Sequence, residues 1–521
     1  MATEQTITVS CEGGLNQSQN TVALFEQPGA ATQFQNFEPS IYGGYRHIDG
    51  FTQFGTATPV DTSPILGIFA YADGVIACQA TGIYFSTDGI TWIQVNKNIT
   101  AGNAAALAGA SAIPKVAQGR TRISLYNSDG DNGTLTFVDG VNDLSVLTID
   151  DSTGTRLYTY QEVVLPGIPI DTATYADRNV VSYGNSVVWS VRGDVTDFDG
   201  SSAGAVDVDD KNVGIAVHRK VLYILNKNSI DAISELDTAP QRITITKNVG
   251  CIDKYSIQEV ASDVLFLAPD GIRTIKGTDR IDDIELSTVS KNINPTLLGV
   301  IREINNYDIS STVIREKNQY RLFYNKSITT YGDQKGVLGA MRMGQAGPSW
   351  EWSELKGIEV SAISSEMDTN VIETIYHGDY DGKVFLHTSG TDFNGSAIHS
   401  YYKTPDISFG DVGQRKTLYT VRLSLRAEGD TTVDMTLRYD YGSTNVMQPQ
   451  IYRFEDVYPA AVYGEGTYGA SHYGAVNDPN IKMNVEGSGG SCNFKFESND
   501  TTSLYTIYGF FVDLIADGRV D

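Results

Sequence analysis

The chain has 521 residues, including 51 Gly, 29 Tyr and 19 Phe, and its 63 Asp and Glu outnumber 38 Lys and Arg to give a formal charge of −25. That balance argues against a grip on the nucleic-acid backbone, which draws on clustered Lys and Arg. No run of about 18 apolar residues occurs, so no membrane-spanning helix is expected, and the length exceeds what one hydrophobic core usually fills.

Residues 1–60 read as an extended lead-in. Pro28-Gly29, Glu38-Pro39-Ser40, Gly43-Gly44 and Gly50 interrupt any regular period, and such a segment can lie across other elements and close a ring by supplying an outer strand. The opening MATEQTITVSCEGGLN lacks a basic stretch followed by an apolar one, so no signal peptide is expected. Cys11, Cys78, Cys251 and Cys492 stand apart with no Cys-x-x-Cys pair. That spacing predicts lone thiols and synthesis in a reducing cytoplasm.

From 61 to 400 the chain repeats one pattern: a strand rich in aromatic and aliphatic residues, a polar turn, then a second strand. The copies begin near Gly82, Leu135, Ser186, Lys220, Asp263, Tyr320 and Lys383. Their leading aromatics are Tyr84, Phe137, Trp189, Tyr223, Phe266, Phe323 and Phe385, at intervals of 53, 52, 34, 43, 57 and 62 residues. Asp88-Gly89, Asp139-Gly140, Gly193-Asp194 and Asp270-Gly271 supply turn residues that tolerate positive φ. A hairpin cannot bury its apolar face alone, so copies at blade spacing predict a β-propeller of six or seven blades. Ala101 to Val116 comes nearest to a helical pattern, but Gly102, Gly109 and Pro114 make it a loop or at best a short turn of helix.

The texture changes near Tyr401. Val421, Leu423 and Leu425 alternate with Arg422, Ser424 and Arg426, and Val433, Met435, Leu437 and Tyr439 repeat the alternation. With the stretches 492–498 and 504–515 this predicts a C-terminal β-sandwich over 401–521. Between those strands Tyr463-Gly464, Tyr468-Gly469 and Tyr473-Gly474 recur every five residues. Five is neither a helical nor a strand period. Tyr463, Tyr468 and Tyr473 are therefore read as a subunit or partner contact on a long loop, with a loop folded back on its own sandwich as the alternative.

The search for chemistry is short. The chain has no phosphate-binding Gly-Lys-Ser/Thr loop, dinucleotide fingerprint, His-Glu-x-x-His or Gly-x-Ser-x-Gly elbow. His47, His218, His377, His387, His399 and His472 form no ligand-spaced set. Asp150-Asp151, Asp207 to Asp210, Asp282-Asp283 and Asp379 to Gly382 are read as solvated turn acids, although a glycosidase would need such carboxylate pairs. No catalytic residue, cofactor or metal is expected. Ser86-Thr87-Asp88-Gly89-Ile90-Thr91-Trp92 resembles the Asp-box turn of sialidase-like propellers, with Gly and Trp each one place early. It is read as a fold marker.

Glu26 to Phe51, with its Pro-Gly, Asn-Phe-Glu-Pro-Ser and Gly-Gly-Tyr-Arg segments, together with Tyr401 to Leu418 and the closing stretch Tyr505 to Leu514, resembles tail nozzle and packaged-DNA stabilisation proteins of short-tailed bacteriophages. The resemblance implies a non-enzymatic virion protein of the phage tail or neck, made in the host cytoplasm. It implies a homohexamer that meets the head-tail adaptor and other tail proteins, retains packaged DNA and passes it without sequence preference at ejection. A negative wall would repel the duplex and let it slide. A peripheral adhesin or decoration protein, and a glycan-acting propeller enzyme, are the alternatives.

Overall fold

The computed structural model describes residues 4–41, 43–95, 119–129, 132–152, 156–234, 236, 240–260, 263–275, 288–326, 334–344, 347–367, 371–411, 413–428, 430–457 and 480–519. These residues are overwhelmingly strand, and the longest described helix is Asn294–Arg302, which buries Leu297 and Val300.

Seven small antiparallel sheets follow one another along the chain, spanning 67–94, 122–163, 171–207, 212–246, 258–274, 307–356 and 362–387. Each begins with its innermost strand. Gly67–Tyr71, Arg122–Asp129, Asp171–Tyr175, Asn212–His218, Gln258–Val260, Tyr307–Ile314 and Ala362–Met367 lie against one another in that order, and the last returns to the first. This is a closed β-propeller of seven blades. Among the described residues the fifth blade has three strands, with a bridge between Arg273 and Thr288 beside the third. The seventh takes its outer strand, Phe51–Gln53, from the N-terminal segment.

The uneven sequence spacing has a structural cause. Phe137, Tyr223, Phe266 and Phe323 sit on second strands, whereas Tyr84, Trp189 and Phe385 sit on third strands. The short interval from Trp189 to Tyr223 therefore runs from a third strand to a second, and the long one from Phe323 to Phe385 runs the other way. Six of these aromatics are buried and Tyr223 is half-buried. Two expected hairpins are corrected. Ser186–Trp189 pairs with Gly204–Asp207, so Gly193-Asp194 lies in a loop between them. Val384–His387 pairs with Phe51–Gln53, and Phe393 makes an isolated bridge to Phe51.

The C-terminal strands form two facing sheets around one core. Gln414–Ala427 pairs with Tyr505–Arg519 and Asn480–Asn484, while Thr431–Tyr439 pairs with Cys492–Asp500 and Tyr452–Val457. The alternation seen in sequence sets the faces: Val421, Leu423, Leu425, Val433, Met435, Leu437 and Tyr439 are all buried. Each fully buried Leu or Val contributes about 1.5–3 kcal/mol relative to exposure.

The sandwich is not confined to the last 121 residues. Glu4–Ser10 pairs along the strand that ends the chain, and Phe37–Pro39 and Tyr45–His47 extend the same sheet. Gln33–Gln35 sits between Gly347–Lys356 of the sixth blade and Ile398–Lys403, which makes one nine-stranded sheet running from propeller to sandwich. At this joint Phe34, Phe37, Tyr45, Tyr402 and Tyr505 pack ring on ring.

A buried polar network fastens the N-terminal segment to the last two blades. Glu38 accepts from Lys317 at 2.6 Å, Gln319 at 3.0 Å and Arg321 at 3.2 Å. Burial opposes the Glu38 charge, but Lys317, Arg321 and Arg46 hold its carboxyl below the usual range. Arg321 also donates to His387 Nε2 at 2.9 Å, which leaves His387 Nδ1–H to donate to His377 Nδ1 at 3.2 Å. Burial pushes His377 down to about 3, and burial together with the neighbouring His377 and cations lowers His387. Both rings are therefore neutral structural members of the core.

Candidate functional site

Innermost strands of the first, second, fifth, sixth and seventh blades contribute to the lining of a polar cavity of about 160 Å³. Its charged lining comes from three chain segments: Arg120 and Arg122 at the start of the second blade, Arg315 just after the first strand of the sixth, and Glu366 on the first strand of the seventh. Strand ends and inner edges of blades converge there, so residues distant in sequence meet.

Arg120 is held flat. Its guanidinium lies 3.9 Å over the Tyr255 ring and donates to Ser310 Oγ at 2.6 Å and the Ser361 carbonyl at 3.3 Å, while the Tyr255 hydroxyl donates to the Arg120 carbonyl. Arg122 faces buried Asp171 at 3.4 Å. Arg315 is paired with Glu373 at 3.4 Å and donates to the Ser365 carbonyl at 2.9 Å. Burial pushes the Glu366 carboxyl up to about 7, with Arg315 and Arg122 opposing the rise and Glu373 adding to it.

The cavity is smaller than the about 300–1,000 Å³ of drug-sized pockets. Its size suits a small polar guest. Its chemistry consists of fixed hydrogen-bond donors beside one titratable carboxyl. The preceding sequence signals did not include it, although Ser310-Ser311-Thr312 and Ser364-Ser365 place hydroxyls on the first strands of two blades. That pattern is the one sequence mark of the site.

The predicted contact residues Tyr463, Tyr468 and Tyr473 lie outside the described residues, as do Ala101 to Val116, Asp282, Asp283 and His472. The Asp-box-like turn is structural: Ser86 Oγ accepts from the Gly89 N–H at 2.9 Å, and Asp88 accepts from the N–H groups of Ile90 and Thr91, both at 2.8 Å. Gly89 has φ +66°, and a Cβ there would stand 2.1 Å from the Phe54 carbonyl oxygen. The turn therefore rests directly on the segment that closes the ring.

The other acids are likewise engaged in local structure. Asp209 pairs with Arg242 at 2.8 Å, Asp210 accepts from the Asn228 N–H at 2.6 Å, and Asp379 accepts from the N–H groups of Asp381 at 3.0 Å and Lys383 at 2.7 Å. Among the described residues no three His, Cys, Asp or Glu are grouped to hold a metal ion. All four cysteines are buried and free, and burial pushes Cys11 and Cys251 up to about 12.

No protein-family model matches this chain, and no curated protein matches it. Two solved structures of the extracellular domain of BT4673 from B. thetaiotaomicron, described as a one-component and a hybrid two-component system, align with it at 14% and 13% identity. Each has a TM-score of 0.37 and covers 73% of this chain, but only 43% and 44% of the respective bacterial chains. The chain thus spans less than half the length of those domains, and these scores carry no inference about its activity.

Proposed function

We propose that this chain is a non-enzymatic structural subunit of a tailed-phage particle, a tail nozzle or another part of the head-tail tube that retains packaged DNA and passes it at ejection. The observation that carries the reading is the joint between propeller and sandwich. The three segments that resemble nozzle proteins, 26–51, 401–418 and 505–514, lie far apart in sequence and meet there. Phe34 and Tyr45 contact Tyr402 at ring distances of 5.8 and 5.4 Å, and Phe37 contacts Tyr505 at 5.7 Å. The shared residues are thus those that fix how the two folded units are joined.

The charge of −25 fits a surface past which DNA slides without sticking. In this reading DNA passes along the axis of a ring of copies, with Tyr463, Tyr468 and Tyr473 assigned to contacts between neighbours. The decisive experiment is a particle map combined with deletion. Sixfold density below the head-tail adaptor, and loss of packaged genome from particles lacking the protein, are expected. A copy on the outer capsid, with DNA retained in its absence, would replace this reading with that of a decoration protein.

A further inference from the structure

We propose that Glu366, Arg122, Thr312 and Ser364 form a binding site for a small zwitterion, an α-amino acid of the size of glycine or alanine, in the polar cavity of the propeller. All four residues line that cavity. Each of its arginines is answered by an acid: Arg122 faces Asp171, Arg315 faces Glu373, and Arg120 is coupled to Asp253. Glu366 is the lining acid left over. It makes no hydrogen bond and stands at ion-pair distance from no cation among the described residues, although Arg122 and Arg315 are near enough to act on its charge. A carboxyl and a guanidinium thus flank the cavity without touching, and a guest that carries both an ammonium and a carboxylate would bridge them.

The remaining contacts come from groups with spare capacity. Arg122 keeps 26% of its side chain accessible and makes no side-chain hydrogen bond among the described residues, so its N–H groups are open to a carboxylate. Thr312 is only 2% exposed, yet its hydroxyl has no hydrogen-bond partner among the described residues, and the Ser364 hydroxyl has none either. A buried hydroxyl without a partner is uncommon, and both hydroxyls can donate or accept. A cavity of about 150 Å³ accommodates benzene, so one of about 160 Å³ has room for glycine or alanine. A simple anion would leave Glu366 unanswered and a simple cation would meet three arginines, whereas a zwitterion brings no net charge.

This inference does not rest on the virion reading, because it is tested on the isolated chain. Titration calorimetry at constant ionic strength near pH 8 would use glycine, with acetate and methylammonium as probes that each carry one of its two charges. Saturable glycine binding with a Kd below about 1 mM is expected, and each single-charge probe should bind at least about tenfold more weakly. Glu366→Gln should weaken glycine binding at least about tenfold, and Thr312→Val several-fold, while the far-ultraviolet spectra stay that of the parent. A second readout is one that a merely structural carboxyl would not move. Bound ammonium holds Glu366 ionised against the burial and the Glu373 charge that favour its proton, with Arg122 and Arg315 acting in the same direction. At about pH 6, where the empty site keeps that proton, binding should therefore release about one proton from the parent and none from Glu366→Gln. Should Glu366→Gln not fold, Thr312→Val and the proton count of the parent decide. Absence of saturable heat with glycine up to about 20 mM, equal binding of acetate or methylammonium, or undiminished binding in the folded variants would overturn the assignment.

Discussion

Glu366 couples the polar cavity to pH. Its carboxyl titrates near 7 in the folded chain against an ordinary value of 4.5, chiefly because it is buried. Between those values the folded state keeps a proton that the unfolded state has released, so the stability from this group is full below 4.5 and is lost as pH rises through about 7. Glu366→Gln should accordingly be more stable than the parent near pH 8, by on the order of 2 kcal/mol, and should match it near pH 4. Urea unfolding across that range checks this, and a difference independent of pH would mean that the carboxyl stays ionised beside Arg122 and Arg315. Arg321 makes the contrasting case of a fully buried cation. Arg321→Met should cost about 3–5 kcal/mol by leaving Glu38 with fewer partners, and a loss under about 1 kcal/mol in the same assay would show that Lys317 alone suffices. Neither residue was marked by sequence. A buried charge is recognised by its partners, and Arg321 draws on Glu38, which lies 283 residues away.

At the scale of single elements, the sequence carried the apolar periodicity well and the strand partners poorly. Trp189, Phe266 and Phe323 were legible as core because aliphatic neighbours share their strands, and all three are buried. Truncating any one of them to Ala should cost about 3–5 kcal/mol in chemical denaturation, whereas half-buried Tyr223 should cost less than any of the three. Equal losses at all four positions would contradict the burial order. What could not be read was which strand of a blade each aromatic occupied, since second and third strands share the same composition. The hairpin after Trp189 failed for a related reason: Gly193-Asp194 has the chemistry of a hairpin turn, yet the strand partner comes later, at Gly204–Asp207. Turn chemistry proposes a bend, and only cross-strand packing decides what pairs after it. The Asp-box-like turn yields a sharper expectation. Gly89→Ala adds a methyl against the Phe54 carbonyl in a left-handed backbone, so it should lower the melting temperature by several degrees, by about as much as a loss of 1–2 kcal/mol would. An unchanged melting temperature would show that the ring-closing segment yields freely.

The whole molecule is held together by its first fifty residues in a way that couples propeller and sandwich. Gln33–Gln35 bridges the sixth blade to Ile398–Lys403, Phe37–Pro39 and Tyr45–His47 lie in the sandwich, and Phe51–Gln53 completes the seventh blade. One core accordingly contains side chains from the fifth and sixth blades, such as Leu265 and Tyr320, together with sandwich residues such as Leu423 and Phe496. Two domains joined by a linker would melt separately. Here the shared core and the nine-stranded sheet oppose that, and calorimetry of the full chain should give a single cooperative transition. A fragment of residues 401–521 should lack dispersed amide resonances, because its sheets would expose edges that Gln33–Gln35 and Tyr45–His47 cover in the full chain. Adding a peptide of residues 4–49 should restore order to part of that fragment by supplying those edges. Two well-separated transitions in the full chain, or a fragment that folds without the peptide, would show that the sandwich is autonomous and that the N-terminal strands only lie upon it.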